Sequence, residues 1–170
     1  IKYGTSGSGS IFHLAMETLA VQEGIKLIHV PFKSCGLSDM ALLGGHIEAE
    51  VCPAANFKEN VRSGQLRLLT SFTGTRLPSF PEIPTASEHG YKTKMIHMAA
   101  FVGPKGMPKA VTDKLDRAFK GAMEKPEFKK LMMDIEMPII YRNPDDLAKE
   151  FKELTDYYKG LVAQTGLKEE

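Results

Sequence analysis

A chain of 170 residues, 42% hydrophobic and 25% charged, holds enough apolar material for one compact domain or two small lobes, which excludes wholesale disorder. The formal net charge of +1 supplies no general attraction to nucleic acid or to an anionic membrane, so affinity for an anion must come from a local site. No apolar run approaches the roughly 20 residues that cross a bilayer. The chain opens on Ile1-Lys2-Tyr3-Gly4, without Met and without a charged-then-apolar leader. Cys35 and Cys52 are too few for a disulfide framework or a zinc cluster. They are expected as free, buried thiols; a single bridge would need an oxidising compartment and suitable geometry.

In chain order, Lys2–Tyr3 leads into a Gly/Ser loop, and 9–23 reads as a helix with Phe12, Met16 and Leu19 on one stripe and Gly24 as its stop. Leu27 to Val30 reads as a strand ended by Pro31. Ser34 or Ser38 caps a helix through Met40, Leu42 and Leu43, closed by Gly44-Gly45. Ile47 to Val51 is the next strand, Pro53 opens a helix that ends at Gly64, and Leu66 to Phe72 is a further strand. The alternation β-α-β-α-β-α-β predicts a mostly parallel sheet with helices on both faces.

At Thr75 the rhythm changes. Pro78, Pro81 and Pro84 are too dense for a helix or a central strand, so this stretch is a surface connection. A turn near Ala86–Gly90 precedes a long strand expected from Met95 to Val102. Helices are expected from Pro108, with Val111, Leu115, Ala118 and Ala122 on one face, and from Pro126, with Phe128, Leu131 and Met132. Met137 to Tyr141 reads as a lone strand. Asn143-Pro144-Asp145-Asp146 is a helix start of cap, proline and first-turn acids, followed by the stripe Leu147, Phe151, Leu154, Tyr158 and Leu161. One or two strands cannot cover three such helices. The second half is therefore expected to lack sheet, supplied by a segment N-terminal to this chain.

Gly4-Thr5-Ser6-Gly7-Ser8-Gly9-Ser10 is the most informative stretch, because it joins a strand to a helix. Its glycines allow tight turning and close approach, amides at a helix N-terminus attract anions, and its hydroxyls add neutral donors. The loop suits a carboxylate or a phosphate; the plain alternative is a serine-capped turn. Sharper templates fail. Ser10 stands where a phosphate-binding P-loop has Lys, Phe12 where a dinucleotide fingerprint has Gly, and Ser8 where a nucleophile elbow has its second Gly.

Among the five histidines no pair has metal-ligand spacing, so neither a metal nor a cofactor is expected. His13 is expected on a helix surface. Glu48 and Glu50 alternate on a strand and read as a solvated face. The nine methionines read as core filler, and the lysines of 129–130, 149 and 152 as solvated helix faces. No basic stripe with interleaved aromatics indicates a nucleic-acid module.

Taken in order, six motifs resemble the substrate-binding proteins of tripartite tricarboxylate transporters, the TctC or Bug family. They are the Gly4–Ser10 loop with His13-Leu14-Ala15; His29-Val30-Pro31-Phe32-Lys33; Leu42-Leu43-Gly44-Gly45-His46-Ile47-Glu48; Ser63-Gly64-Gln65-Leu66-Arg67-Leu68-Leu69; Leu77-Pro78 through Pro81-Glu82-Ile83-Pro84-Thr85; and Gly103-Pro104-Lys105-Gly106-Met107-Pro108. The resemblance spans essentially the whole chain. It implies a two-lobe α/β fold of the periplasmic-binding-protein type II kind, here a fragment. Residues 1–94 would form one near-complete ligand-binding lobe, and 95–170 the C-terminal part of the other.

The resemblance further implies a periplasmic solute-binding protein that captures a small carboxylate and delivers it to membrane transporter subunits. Its ligand-facing loops fall on Gly4, Thr5, Ser6, Gly7, Ser8, Gly9 and Ser10, on Ser34, Cys35 and Gly36, and on Cys52, Pro53, Ala54 and Ala55. Two departures bear on the ligand: Ser34-Cys35 stands where the family has small glycine-rich pairs, and Cys52-Pro53 where it has a polar pair. The expected mechanism is capture by lobe closure on a carboxylate held by neutral donors, without catalysis. The rivals are a hydrolase using Ser6 or Ser8, and an interaction module. Self-association of the incomplete chain is a further expectation.

Overall fold

The computed structural model describes residues 1–93, 95 and 99–167. The chain divides into two units, one of Ile1–Ile96 with Tyr157–Glu170, the other of His97–Asp156.

The first unit is built on a three-stranded parallel sheet of order β2-β1-β3, with β1 Lys2–Thr5 at its centre, β2 Ile28–Pro31 and β3 Ala49–Glu50. The register sets Tyr3 beside His29 and Ala49, and Gly4 beside Val30 and Glu50. Pro31 is tolerated because it ends an edge strand. The crossovers are helical: α1 Ile11–Glu23, α2 Cys35–Leu43, then α3 Ala54–Arg62 after β3. Each begins where its sequence dictates. Ser10 Oγ accepts the His13 amide at 3.2 Å, Ser34 Oγ accepts that of Leu37 at 3.4 Å, and Pro53 precedes α3. Gly24, at φ 64°, closes α1 in the left-handed conformation.

The pleat sends Tyr3 and Thr5, both fully buried, to one face and Gly4 to the other. On the Gly4 face α2 lies close. A Cβ on Gly4 would collide with Ser38 Oγ and come within 2.7 Å of Ile47 Cδ1, so only glycine admits this approach. Elsewhere Ala15, Val51, Phe72 and Ala86 form a core cluster, with Phe12, Met16 and Leu19 of α1 packed on it.

Two expected strands are absent. Between Leu66 and Phe72 there is one isolated bridge, Ser71 to Thr85, made by Ser71 N–H to Pro84 O and Ala86 N–H to Ser71 O. Its neighbour is the proline-rich stretch, whose prolines lack the N–H that further rungs need. Likewise 137–141 forms no strand, since the described residues of the second unit hold no strand to pair with it. Tyr141 instead donates to Asp116 Oδ2 at 2.9 Å and lies under the Lys120 ammonium. β3 is shorter than expected. Of the strand expected over 95–102, residues 96–98 lie outside the described residues, and 99–102 are irregular.

The remaining helices are α4 Lys109–Met123, α5 Pro126–Asp134 and α6 Pro144–Thr165. Asn143 caps α6 as its sequence predicts, with Oδ1 accepting the amides of Asp145 and Asp146 at 3.0 and 2.9 Å. No residue of α4 or α5 is buried, and Val111, Leu115, Leu131 and Phe151 are exposed. The apolar stripes exist, but within the second unit little covers them.

Candidate anion-binding site

In a parallel sheet all strands end at one edge, so the turns after β1, β2 and β3 and the N-termini of α1, α2 and α3 gather there. That edge assembles the residues singled out from sequence: 4–10, 34–36 and 52–55. Cys35, the first residue of α2, and Cys52, just before Pro53, are bonded to each other with a Cα–Cα distance of 5.8 Å. The expectation of free thiols is therefore corrected. A separation of 17 residues carries no sign of pairing; α2 packs against β1 and β3, which sets its first residue beside the turn after β3. Ser34, Gly36, Pro53 and Ala55 are exposed around this bridge, and Ala54 is half-buried.

The loop itself divides its donors. Thr5 is fully buried, and its hydroxyl donates to Gly7 O at 3.1 Å. The same oxygen lies 2.7 Å from His29 Nε2, so with its one proton already given it accepts, and His29 carries its proton on Nε2. Gly9 N–H donates to His13 Nδ1 at 3.1 Å, which leaves the His13 proton on Nε2 as well. Ser10 Oγ is occupied by the His13 amide. Among the described residues the amides of Ser6, Gly7 and Ser8 and the hydroxyls of Ser6 and Ser8 have no protein partner. Gly7 and Gly9, at φ 118° and 70°, make this turn possible. The free donors thus form one short arc, Ser6–Ser8, at the start of α1.

His13 is not on a helix surface. It is buried at 7% exposure and stacks on His29 with ring centroids 3.7 Å apart and planes 12° off parallel. The β1–β2 register draws His29 over α1, which spacing alone could not reveal. Burial lowers both imidazoles, His29 to about 4, with the neighbouring His13 lowering it further and Glu17 opposing. Glu17 accepts the Tyr3 hydroxyl at 2.5 Å; burial and this contact raise the phenol. Both imidazoles are neutral at pH 7.

Glu48 and Glu50 do not share a solvated face. Glu48 is exposed and accepts the Lys2 amide, whereas both carboxyl oxygens of Glu50 are buried beside Ser38 and Asp39 of α2. Burial and the Asp39 carboxyl push Glu50 up to about 8, so it holds its proton at pH 7. Sequence reasoning missed Asp39. The available signal was an acid in the middle of a short, mostly apolar helix, facing a strand of a sheet covered on both sides. Among the described residues no cluster of three or more His, Cys, Asp or Glu could hold a metal ion. No histidine or carboxyl contacts the Ser6 or Ser8 hydroxyl among them.

The model of the tripartite tricarboxylate transporter family receptors matches residues 1–167. The UPF0065 protein in the gbd 5' region of Cupriavidus necator is 33% identical over 167 residues, which cover 98% of this chain and 51% of that protein. Rpa4515 of R. palustris, solved with adipate, has a TM-score of 0.84 at 20% identity, covering 98% of this chain and 56% of that one. The periplasmic binding protein BugD has a TM-score of 0.77 at 24% identity, covering 100% and 58%. This chain belongs to the tripartite tricarboxylate transporter receptor family, has the α/β fold of its periplasmic binding proteins, and spans about half the length of the curated relatives it matches.

Proposed function

We propose that this chain is the carboxylate-receiving part of a periplasmic solute-binding receptor that serves a tripartite transporter without catalysing a reaction. The observation that carries the reading is the arc of unpartnered donors at Ser6–Ser8, on the edge where α1, α2 and α3 begin. Amides and hydroxyls at a helix N-terminus favour negative charge without any lysine or arginine at the ligand. A dicarboxylate is the favoured ligand class, since a fold neighbour is solved with adipate. In this reading residues 1–94 form one lobe. Residues 95–170 contribute to the other, whose remaining part belongs to the longer protein and covers the bare faces of α4 and α5. The transporter's membrane subunits are the partner.

The test is calorimetric titration of the full-length protein with adipate and citrate. Replacing Ser6 and Ser8 by Ala removes two donors, each worth about 0.5–1.5 kcal/mol, so affinity should fall about 5- to 150-fold with little change in unfolding temperature. Unchanged affinity would take the arc out of the site.

A further inference from the structure

We propose that the stacked His13–His29 pair positions the ligand turn: His13 Nδ1 holds the Gly9 amide and His29 Nε2–H holds Thr5 Oγ1, and together they aim the Ser6–Ser8 arc. This rests on the reading of that arc as the anion site, and it assigns to two buried imidazoles a role in the shape of the site.

Thr5 Oγ1 grips Gly7 O, and Ser10 N–H reaches the same carbonyl at 3.4 Å, so Gly7 is fixed from both sides. Gly9 is fixed by His13. The three free amides lie between or beside these anchors. Two of these anchors trace back to imidazole nitrogens, and the one at His13 Nδ1 depends on protonation, because only an unprotonated nitrogen accepts. A proton on His13 Nδ1 turns the acceptor into a donor facing another donor, and Gly9 must then leave. The two rings divide the work, the Thr5 anchor being held by His29 and the Gly9 anchor by His13.

The ionisable groups facing the pair are few. From β1 comes the Tyr3 phenol, 5.1 Å from the His29 ring, and from α1 the Glu17 carboxylate, 3.8 Å from His13 Nε2. β2 contributes His29 itself, and β3 presents Ala49 on this face. Glu17 favours a proton on the pair, but burial outweighs it, and a second proton would set two like charges in one stack. The neutral pair is therefore the state at pH 7, and the turn keeps its shape there.

Two measurements on the full-length protein decide the matter. In 15N-labelled protein, long-range imidazole spectra should show both rings protonated at Nε2 only, with His13 and the Gly9 amide shifting together on acidification, below the ordinary histidine range near 6.5. A His13 ring protonated at Nδ1 at pH 7, or one that titrates while Gly9 stays still, would overturn the proposal. In adipate and citrate titrations, His13→Asn places an amide oxygen where Nδ1 stood and should keep affinity within about twofold, whereas His13→Leu should lose about tenfold. Equal affinities for the two variants would overturn it. Spectra as expected, in a protein whose affinity ignores Ser6 and Ser8, would leave the positioning in place and remove the ligand reading of the arc.

Discussion

Breaking the Cys35–Cys52 bridge should destabilise the chain and loosen the strand-end edge together. The bridge closes a loop across a sequence separation of 17, and for a loop of that length the lost chain entropy of the unfolded state amounts to roughly 3 kcal/mol. In a chain of this size that corresponds to a fall in unfolding temperature of about 6–12 °C. The bridge also joins the first residue of α2 to the turn before α3, so its loss frees two of the three helix starts that meet at the strand-end edge. The assay is a thermal scan with and without reductant, beside the double variant Cys35→Ser, Cys52→Ser. Reduced wild type and double variant should coincide, both well below the oxidised protein. Coincidence of all three within about 1 °C, or alkylation of both thiols in unreduced protein exported to an oxidising compartment, would refute the reasoning.

Two other substitutions test the packing beneath the site. Gly4→Ala forces a methyl against Ser38 and Ile47 and should cost about 1–3 kcal/mol, read as a lower urea midpoint at an unchanged slope. Tyr3→Phe leaves Glu17 without its phenol donor and should cost about 1–3 kcal/mol, with the His13 and His29 titrations moving as Glu17 is freed; an unaltered midpoint would show that Glu17 is satisfied by water.

The local grammar of this fold was legible and its long-range pairings were not. Gly24, Pro53 and Asn143 mark their helix ends in sequence and do so in the structure, and of the two candidate caps Ser34 and Ser38 it is Ser34 that serves, because capping needs only neighbours within four residues. The strand expected over Leu66–Phe72 failed because a strand needs a partner, and its neighbour turned out to be a run of prolines. The Gly4–Ser10 loop stood out at once, and together with five further motifs in the same order it pointed to the family that the chain belongs to. Which of its donors face outward could not be read, since the buried side of the loop is settled by His13 and His29. Those residues lie 16 positions apart and meet only through the β1–β2 register. Cys35 with Cys52 and Asp39 with Glu50 fail in the same way: each pair joins α2 to the β3 region across the sheet.

In the proposed reading of the edge as an anion site, Glu50 ties these buried pairs to function. A site that binds anions through dipoles tolerates a nearby carboxylate poorly, yet β3 ends in one at the very edge where α2 and α3 begin. Holding the proton resolves the conflict. With its value raised to about 8 by burial and Asp39, Glu50 is neutral at pH 7, whereas in the unfolded chain it ionises near the ordinary 4.5. The sign follows from that order: the contribution is fully present below 4.5, is lost as pH rises toward 8, and is constant beyond. For a half-buried group this amounts to about 1–2 kcal/mol after solvent screening. Glu50→Gln should flatten that slope, and urea melts between pH 5 and 9 measure it. Carboxylate affinity in the full-length protein should also fall above pH 8, on the order of fivefold for one partly screened like charge, and the same variant should abolish the fall. A wild-type affinity that is flat to pH 9.5, alongside a stability profile that does titrate near 8, would place the Glu50 charge out of reach of the ligand.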